Sequence, residues 1–191
     1  AGLLKRRLCA GKESPQIFDA LLQELLQDNV VFTAVTIDGL PGLSQVLETY
    51  GVYVQRCHVH LLRDIKTGLQ LKRFSRHPGN AQKRILYRYC KLLLDSSPEN
   101  FLLRQRHLQR IIQANVFGLS PIHHNVLVRF QKACRYAFMH FINPRIQRTT
   151  NRIESYIGHF NARLKTMRGF KKPENAERIL IALHKSLLES S

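Results

Sequence analysis

A chain of 191 residues that is 44% hydrophobic can bury the core of one domain, or of one domain with an insertion, which excludes a wholly disordered tail. Thirty Lys and Arg against 13 Asp and Glu give a formal charge of +17. That excess points to a polyanionic partner, nucleic acid first, with an overcharged surface that serves no ligand as the alternative. The cysteines at 9, 57, 90 and 134 form no Cys-x-x-Cys pair, no secretory signal opens the chain, and no apolar run approaches the roughly 20 residues of a bilayer span. A disulfide scaffold, a ribbon-type zinc site and a membrane protein are thereby set aside, and a reducing, cytoplasmic setting is expected.

In chain order, Leu3 to Ala10 reads as a short strand with basic residues at its centre, and the opening Ala-Gly-Leu-Leu-Lys as the interior of a longer sequence. Ser14-Pro15 is an N-cap followed by proline at the first helical position, and Ile17, Leu21, Leu22, Leu25 and Leu26 recur at helical spacing. Val30 to Ile37 is almost continuously apolar and β-branched, as in a strand buried on both faces of a parallel-type sheet. Asp38 follows directly. Gly39 and Pro41-Gly42 break the strand, Leu43 to Thr49 predicts a short helix, and Val52 to Cys57 a second strand, completing a β-α-β unit. Ligands of open α/β sheets bind beyond the carboxyl ends of the strands, where Asp38 lies. A turn-forming Asx residue before glycine is an equal reading of it.

Beyond His60 the period becomes helical. Leu61 to Phe74, Asn80 to Leu94, Ser97-Pro98 to about Ala114, and Ile122 to Phe141 are predicted helices, and Asn143-Pro144 stops the last of them. His123-His124 is expected on a loop surface. Residues 61–153 carry eighteen Lys and Arg but three acids, Asp64, Asp95 and Glu99, so one block of the chain holds most of the field. A long helix is predicted from Arg148 to Phe170, with Ile153, Tyr156, Ile157, Phe160 and Leu164 as its apolar stripe, and a final one from Pro173 to Leu188. Glu154 borders the stripe of the first. Asn151 at the N-cap with Glu154 three residues on also makes a capping box, which leaves the role of Glu154 open at this point.

The ordered set Thr36-Ile-Asp-Gly-Leu-Pro-Gly-Leu43, Gln55-Arg-Cys-His-Val-His60, Thr149-Thr-Asn-Arg-Ile-Glu154 and Arg163-Leu-Lys-Thr-Met-Arg-Gly-Phe170 resembles the Mutator-type bacterial insertion-sequence transposases. Each motif alone is weak; their order and spacing, over nearly all of the chain, are specific. The resemblance implies a DDE transposase with an RNase H-like core that cuts DNA and transfers the strand. The fold class it implies is α/β, mostly helical, a partial RNase H-like core of few strands with a large all-helical insertion. Residues 1–60 would form the first part of the core, 61–143 the insertion, and 144–191 the C-terminal helices that carry the glutamate. Asp38 and Glu154 match the second and third catalytic carboxylates and would hold Mg²⁺ or Mn²⁺, hard cations that take oxygen ligands. Cys57 and His60 match the family's Cys-x-x-His.

The first catalytic aspartate of the family has no counterpart. The acids before Asp38 are Glu13, Asp19, Glu24 and Asp28, all in or beside the first predicted helix. The resemblance therefore implies that the first strand of the core is missing and that this chain alone does not transpose DNA; a catalytically inactive DNA-binding remnant is the alternative. Transposon ends and target DNA are the expected partners, with a homo-oligomer inherited from the family. Arg56, Cys57, His60, Arg148, Asn151, Arg152, Arg163, Lys165 and Arg168 are the candidate DNA contacts. A zinc site at Cys57 and His60 would need two more ligands from His58, Cys90, Cys134, His123 and His124, none at diagnostic spacing.

Overall fold

The computed structural model describes residues 13–71 and 80–151, together with 154, 155, 157, 158, 162, 178 and 181. The chain divides into two compact units, Ser14–Thr149 and a second one of Ala1–Glu13 with Thr150–Ser191. The strand expected at 3–10 lies outside the described residues, as does most of the two C-terminal helices, whose described positions from 154 onward are helical.

The larger unit is a mixed α/β structure dominated by helices. It begins with α1 (Pro15–Gln27), where Ser14 accepts a hydrogen bond from the Ile17 amide and proline occupies the first turn, so the expected cap is formed. Strands β1 (Ala34–Ile37) and β2 (Tyr53–Arg56) pair in parallel, Ala34 opposite Tyr53 and Ile37 opposite Arg56. Between them lies α2 (Leu43–Thr49), within the predicted bounds. The Leu40 carbonyl accepts from the Leu43 amide across Pro41-Gly42, and Gly42 stands at φ +84°, a conformation that glycine adopts without the Cβ clash. Leu22, Ile37, Leu43, Leu47, Val52 and Val54 make the small core of this part.

Strand β1 is shorter than the apolar run that predicted it: Val31 is 87% exposed and lies outside the ladder. The ladder is as long as its partner allows, and β2 begins only after the left-handed turn at Gly51.

The helical part comprises α3 (His58–Gly68), α4 (Ala81–Leu94), α5 (Pro98–Gln113), α6 (Pro121–Cys134) and the single turn α7 (Met139–Ile142). Leu61, Ile65, Leu86, Leu93, Phe101, Leu108, Leu127 and Phe130 are among its buried core. A Cβ on Gly68 would come within 2.7 Å of both Val126 methyls, so α3 and α6 meet at a spot that only glycine fits.

Two helix boundaries differ from expectation. Helix α3 starts at His58, three residues before the predicted Leu61, and leaves the helical conformation after Gly68 instead of running to Phe74; positions 72–74 lie outside the described residues. The predicted helix over 122–141 is broken at 135–138. There the Tyr136 carbonyl accepts from the Arg56 amide at 2.7 Å, and the Ala137 carbonyl lies 3.2 Å from His58 Nε2. These carbonyls satisfy β2 and His58 rather than continuing a helix, because a buried polar group left unpaired is costly.

Candidate functional site at the carboxyl ends of the parallel strands

Asp38 is the first residue past β1 and is exposed. The Cys57 amide donates to the Ile37 carbonyl at 2.8 Å, adding one rung at the strand ends. There the two chains part, one into the Asp38-Gly39 turn and the other into α3. Arg56, the last residue of β2, turns its side chain toward this junction. Its Nη2 donates to the Asp38 carbonyl at 3.2 Å and stands 3.7 Å from Asp64 Oδ2 on α3. Burial lowers the Arg56 pKa, while the charges of Asp64 and Asp38 act in the opposite direction. Gly39, at φ +113°, lies so close to the guanidinium that a Cβ there would overlap it, 1.9 Å from Nη2.

Behind the strand ends a polar layer joins β2 to the 136–148 segment. Gln55 is fully buried; its Oε1 accepts from the His140 amide at 3.0 Å and its Nε2 donates to the Arg56 carbonyl at 2.9 Å. His58 and His140 pack edge to face, ring centroids 4.9 Å apart. Burial lowers the pKa of His58 and takes that of His140 down to about 4, helped in His140 by the charges of His58 and Arg148. The Arg148 carbonyl accepts from the His58 amide at 2.9 Å, and Thr36 Oγ1 donates to the Gln147 carbonyl at 2.7 Å. Thr36, in the turn-flanking motif, is thus tied to the segment that precedes Thr149-Thr150.

Within this unit Arg56 meets Asp38 and Asp64, the Cys57 amide meets the Ile37 carbonyl, and Arg148 meets the His58 amide through its own carbonyl. Cys57 is fully buried, and His60 Nε2 lies 3.1 Å from Arg63 Nη1. In the second unit, Glu154 Oε1 accepts from Thr150 Oγ1 at 2.6 Å and its amide donates to the Thr150 carbonyl at 3.0 Å. The helix begins at Asn151, three residues after the predicted Arg148, and because Asn151 is itself helical the capping box with Asn151 as N-cap gives way to a Thr150–Glu154 pair. Arg152, Arg163, Lys165 and Arg168 lie outside the described residues.

The five residues considered as further zinc ligands are engaged elsewhere. Cys90 and Cys134 are buried in the helical core, where burial pushes the Cys90 thiol up to about 12 and raises that of Cys134 further still. His58 is held by Ala137, as above. His123 and His124, expected on a loop, sit instead in the first turn of α6: His123 Nε2 lies 3.2 Å from Lys83 Nζ and its Nδ1 2.8 Å from Ser120 Oγ, while His124 Nε2 meets the Ile112 carbonyl at 3.0 Å. Gln55, His140, Thr150 and the turn role of Arg56 were not apparent from the sequence; the one available signal was a Gln inside an apolar strand.

The basic excess is displayed on the helices. Arg88, Lys91, Arg106, Arg110, Arg129 and Lys132 are exposed, opposite the buried stripes of α4, α5 and α6. No helix among the described residues is long and apolar enough to cross a membrane. Compared with known protein families, with curated proteins and with solved structures, the chain finds no match.

Proposed function

We propose that this chain is part of the catalytic domain of a DDE transposase, an RNase H-like core that cleaves DNA and joins strands in transposition with the help of divalent metal. The observation that carries the reading is the exposed Asp38 carboxylate at the carboxyl end of a parallel strand, inside the motif order that resembles that family. Carboxylate oxygens suit Mg²⁺ or Mn²⁺, and Asp38 and Glu154 are the residues that would hold the ion. Bound there, it would polarise the scissile phosphate and activate the attacking water or 3′-hydroxyl. The chain's own contribution is to aim the acids: Thr150 Oγ1 holds Glu154 Oε1, and the Asp38 turn is fastened by Arg56. The exposed cations of α4 to α6 would contact phosphates, and Arg148, Asn151, Arg152, Arg163, Lys165 and Arg168 would line the DNA path near Glu154. With two of three carboxylates, the chain alone is expected to bind DNA and metal without completing transposition.

The second reading is a DNA-binding protein without catalysis. It is favoured by the Thr150–Glu154 hydrogen bond and by the Asp38-Gly39 turn, both of which explain their acids locally. Mn²⁺ titration of the wild type, Asp38→Asn and Glu154→Gln, with binding of a transposon-end duplex measured across salt, separates the two. Loss of metal binding in both variants supports the transposase reading. Unchanged metal binding, with salt-sensitive DNA binding retained, leaves the non-catalytic one.

A further inference from the structure

We infer that Arg56 is a positioning residue for Asp38, fixing the backbone turn that carries its carboxylate by clamping the peptide that follows it. The inference rests on the reading of Asp38 as a metal ligand. Asp38 lies one residue past the last ladder pair, Ile37 with Arg56, so the sheet no longer determines its ψ. The carbonyl of Asp38 does: whatever holds that oxygen fixes the 38–39 peptide, and with it the turn from which the carboxylate projects. Arg56 Nη2 holds it at 3.2 Å.

Three further observations make this a built arrangement. The Arg56 side chain is only 14% exposed, so a cation has been taken largely out of water, where it requires partners. Asp64, 67% exposed on α3, supplies the opposing charge at 3.7 Å and draws the guanidinium across from β2. Gly39 removes the side chain that would otherwise occupy the same space, and its φ of +113° belongs to glycine. The Asp-Gly pair thus has a physical reason: the glycine makes room for the arginine that holds the aspartate. Both contacts fall on Nη2, so one corner of the guanidinium bridges the Asp38 carbonyl and the Asp64 carboxylate. Arg56 Nε has no hydrogen-bond partner among the described residues, so the guanidinium is oriented through its Nη2 contacts.

The test is Mn²⁺ titration by calorimetry on the full chain for Arg56→Ala, Arg56→Lys, Asp64→Asn and Asp38→Asn, with a thermal unfolding curve and the Gly39 amide resonance recorded for each. Arg56→Ala is expected to weaken Mn²⁺ binding roughly ten- to a hundredfold and to shift the Gly39 resonance in the metal-free chain, as substitutions behind a metal ligand do. Arg56→Lys should recover part of the affinity, and Asp64→Asn should lose less than Arg56→Ala. Should Arg56→Ala not fold, the lysine and Asp64 variants carry the same comparison. If the folded Arg56 and Asp64 variants bind Mn²⁺ like the wild type while Asp38→Asn does not, the positioning role is overturned and the metal site stands. If Asp38→Asn binds like the wild type, the metal reading itself falls, and the Gly39 resonance alone reports whether Arg56 orders the turn.

Discussion

Gln55, fully buried on β2, accepts a hydrogen bond from the backbone amide of His140, 85 residues further along the chain, at 3.0 Å. The same side chain donates to the Arg56 carbonyl. One amide group therefore satisfies two backbone groups on either side of the junction between the strand pair and the α6–α7 break. Replacing it with leucine keeps the volume and removes both bonds. Gln55→Leu should lower stability by about 2–4 kcal/mol, measured by urea unfolding, because buried groups lose their partners and gain no water.

The paired histidines predict an acid-sensitive fold. His140 faces the His58 ring, the Arg148 charge, the Phe141 ring, Gln55 Oε1 and the Ala137 carbonyl, and its pKa falls from 6.5 to about 4. Above pH 6.5 both the folded and unfolded chains hold it neutral. As pH falls, the unfolded chain takes up a proton that the folded chain refuses, so stability declines between about 6.5 and 4. His58, also lowered, acts in the same direction. The loss from His140 is about 1–2 kcal/mol after allowance for its partial exposure. Urea midpoints across this range should slope less in His140→Phe than in the wild type; equal slopes would assign the sensitivity to other groups.

The crossing of α3 and α6 should show size complementarity between two positions. Gly68→Ala places a methyl 2.7 Å from Val126 and is expected to cost about 1–3 kcal/mol by overpacking. Adding Val126→Ala opens the space, so the double variant should lose less than the two single losses together. Additive losses in thermal melts would show that the contact is not what limits position 68.

The thiols of Cys90 and Cys134 should be unreactive in the folded chain. Both are fully buried, and burial holds Cys90 at about 12, with Cys134 raised beyond it, so almost no thiolate forms at neutral pH. Labelling by a maleimide reagent should appear at these two positions only as denaturant unfolds the helical core, and mass mapping of the labelled peptides would reveal any earlier reaction.

The β-α-β unit was legible in the sequence because its signals are local. Ser14-Pro15 caps α1, Pro41-Gly42 turns the chain with a left-handed glycine, and the β-branched runs pair as parallel strands. The helices over 81–94 and 98–113 were equally plain from their apolar period. The positive charge and the place of Asp38 at a strand end also follow from residue order alone. What tertiary structure decided lies where distant segments compete for the same backbone groups. The apolar period runs straight through 135–138, yet the helix breaks there because the Tyr136 and Ala137 carbonyls are taken by Arg56 and His58. Glu154 likewise begins its helix from Thr150 and not from Asn151, since the Thr150 carbonyl accepts from its amide and the Thr150 hydroxyl donates to its carboxylate. Gly39 looked like a turn residue and proves also to be the space for a guanidinium from the neighbouring strand. Periodicity records which face of an element is apolar, whereas the partner of a buried carbonyl or cation depends on which segments fold against it.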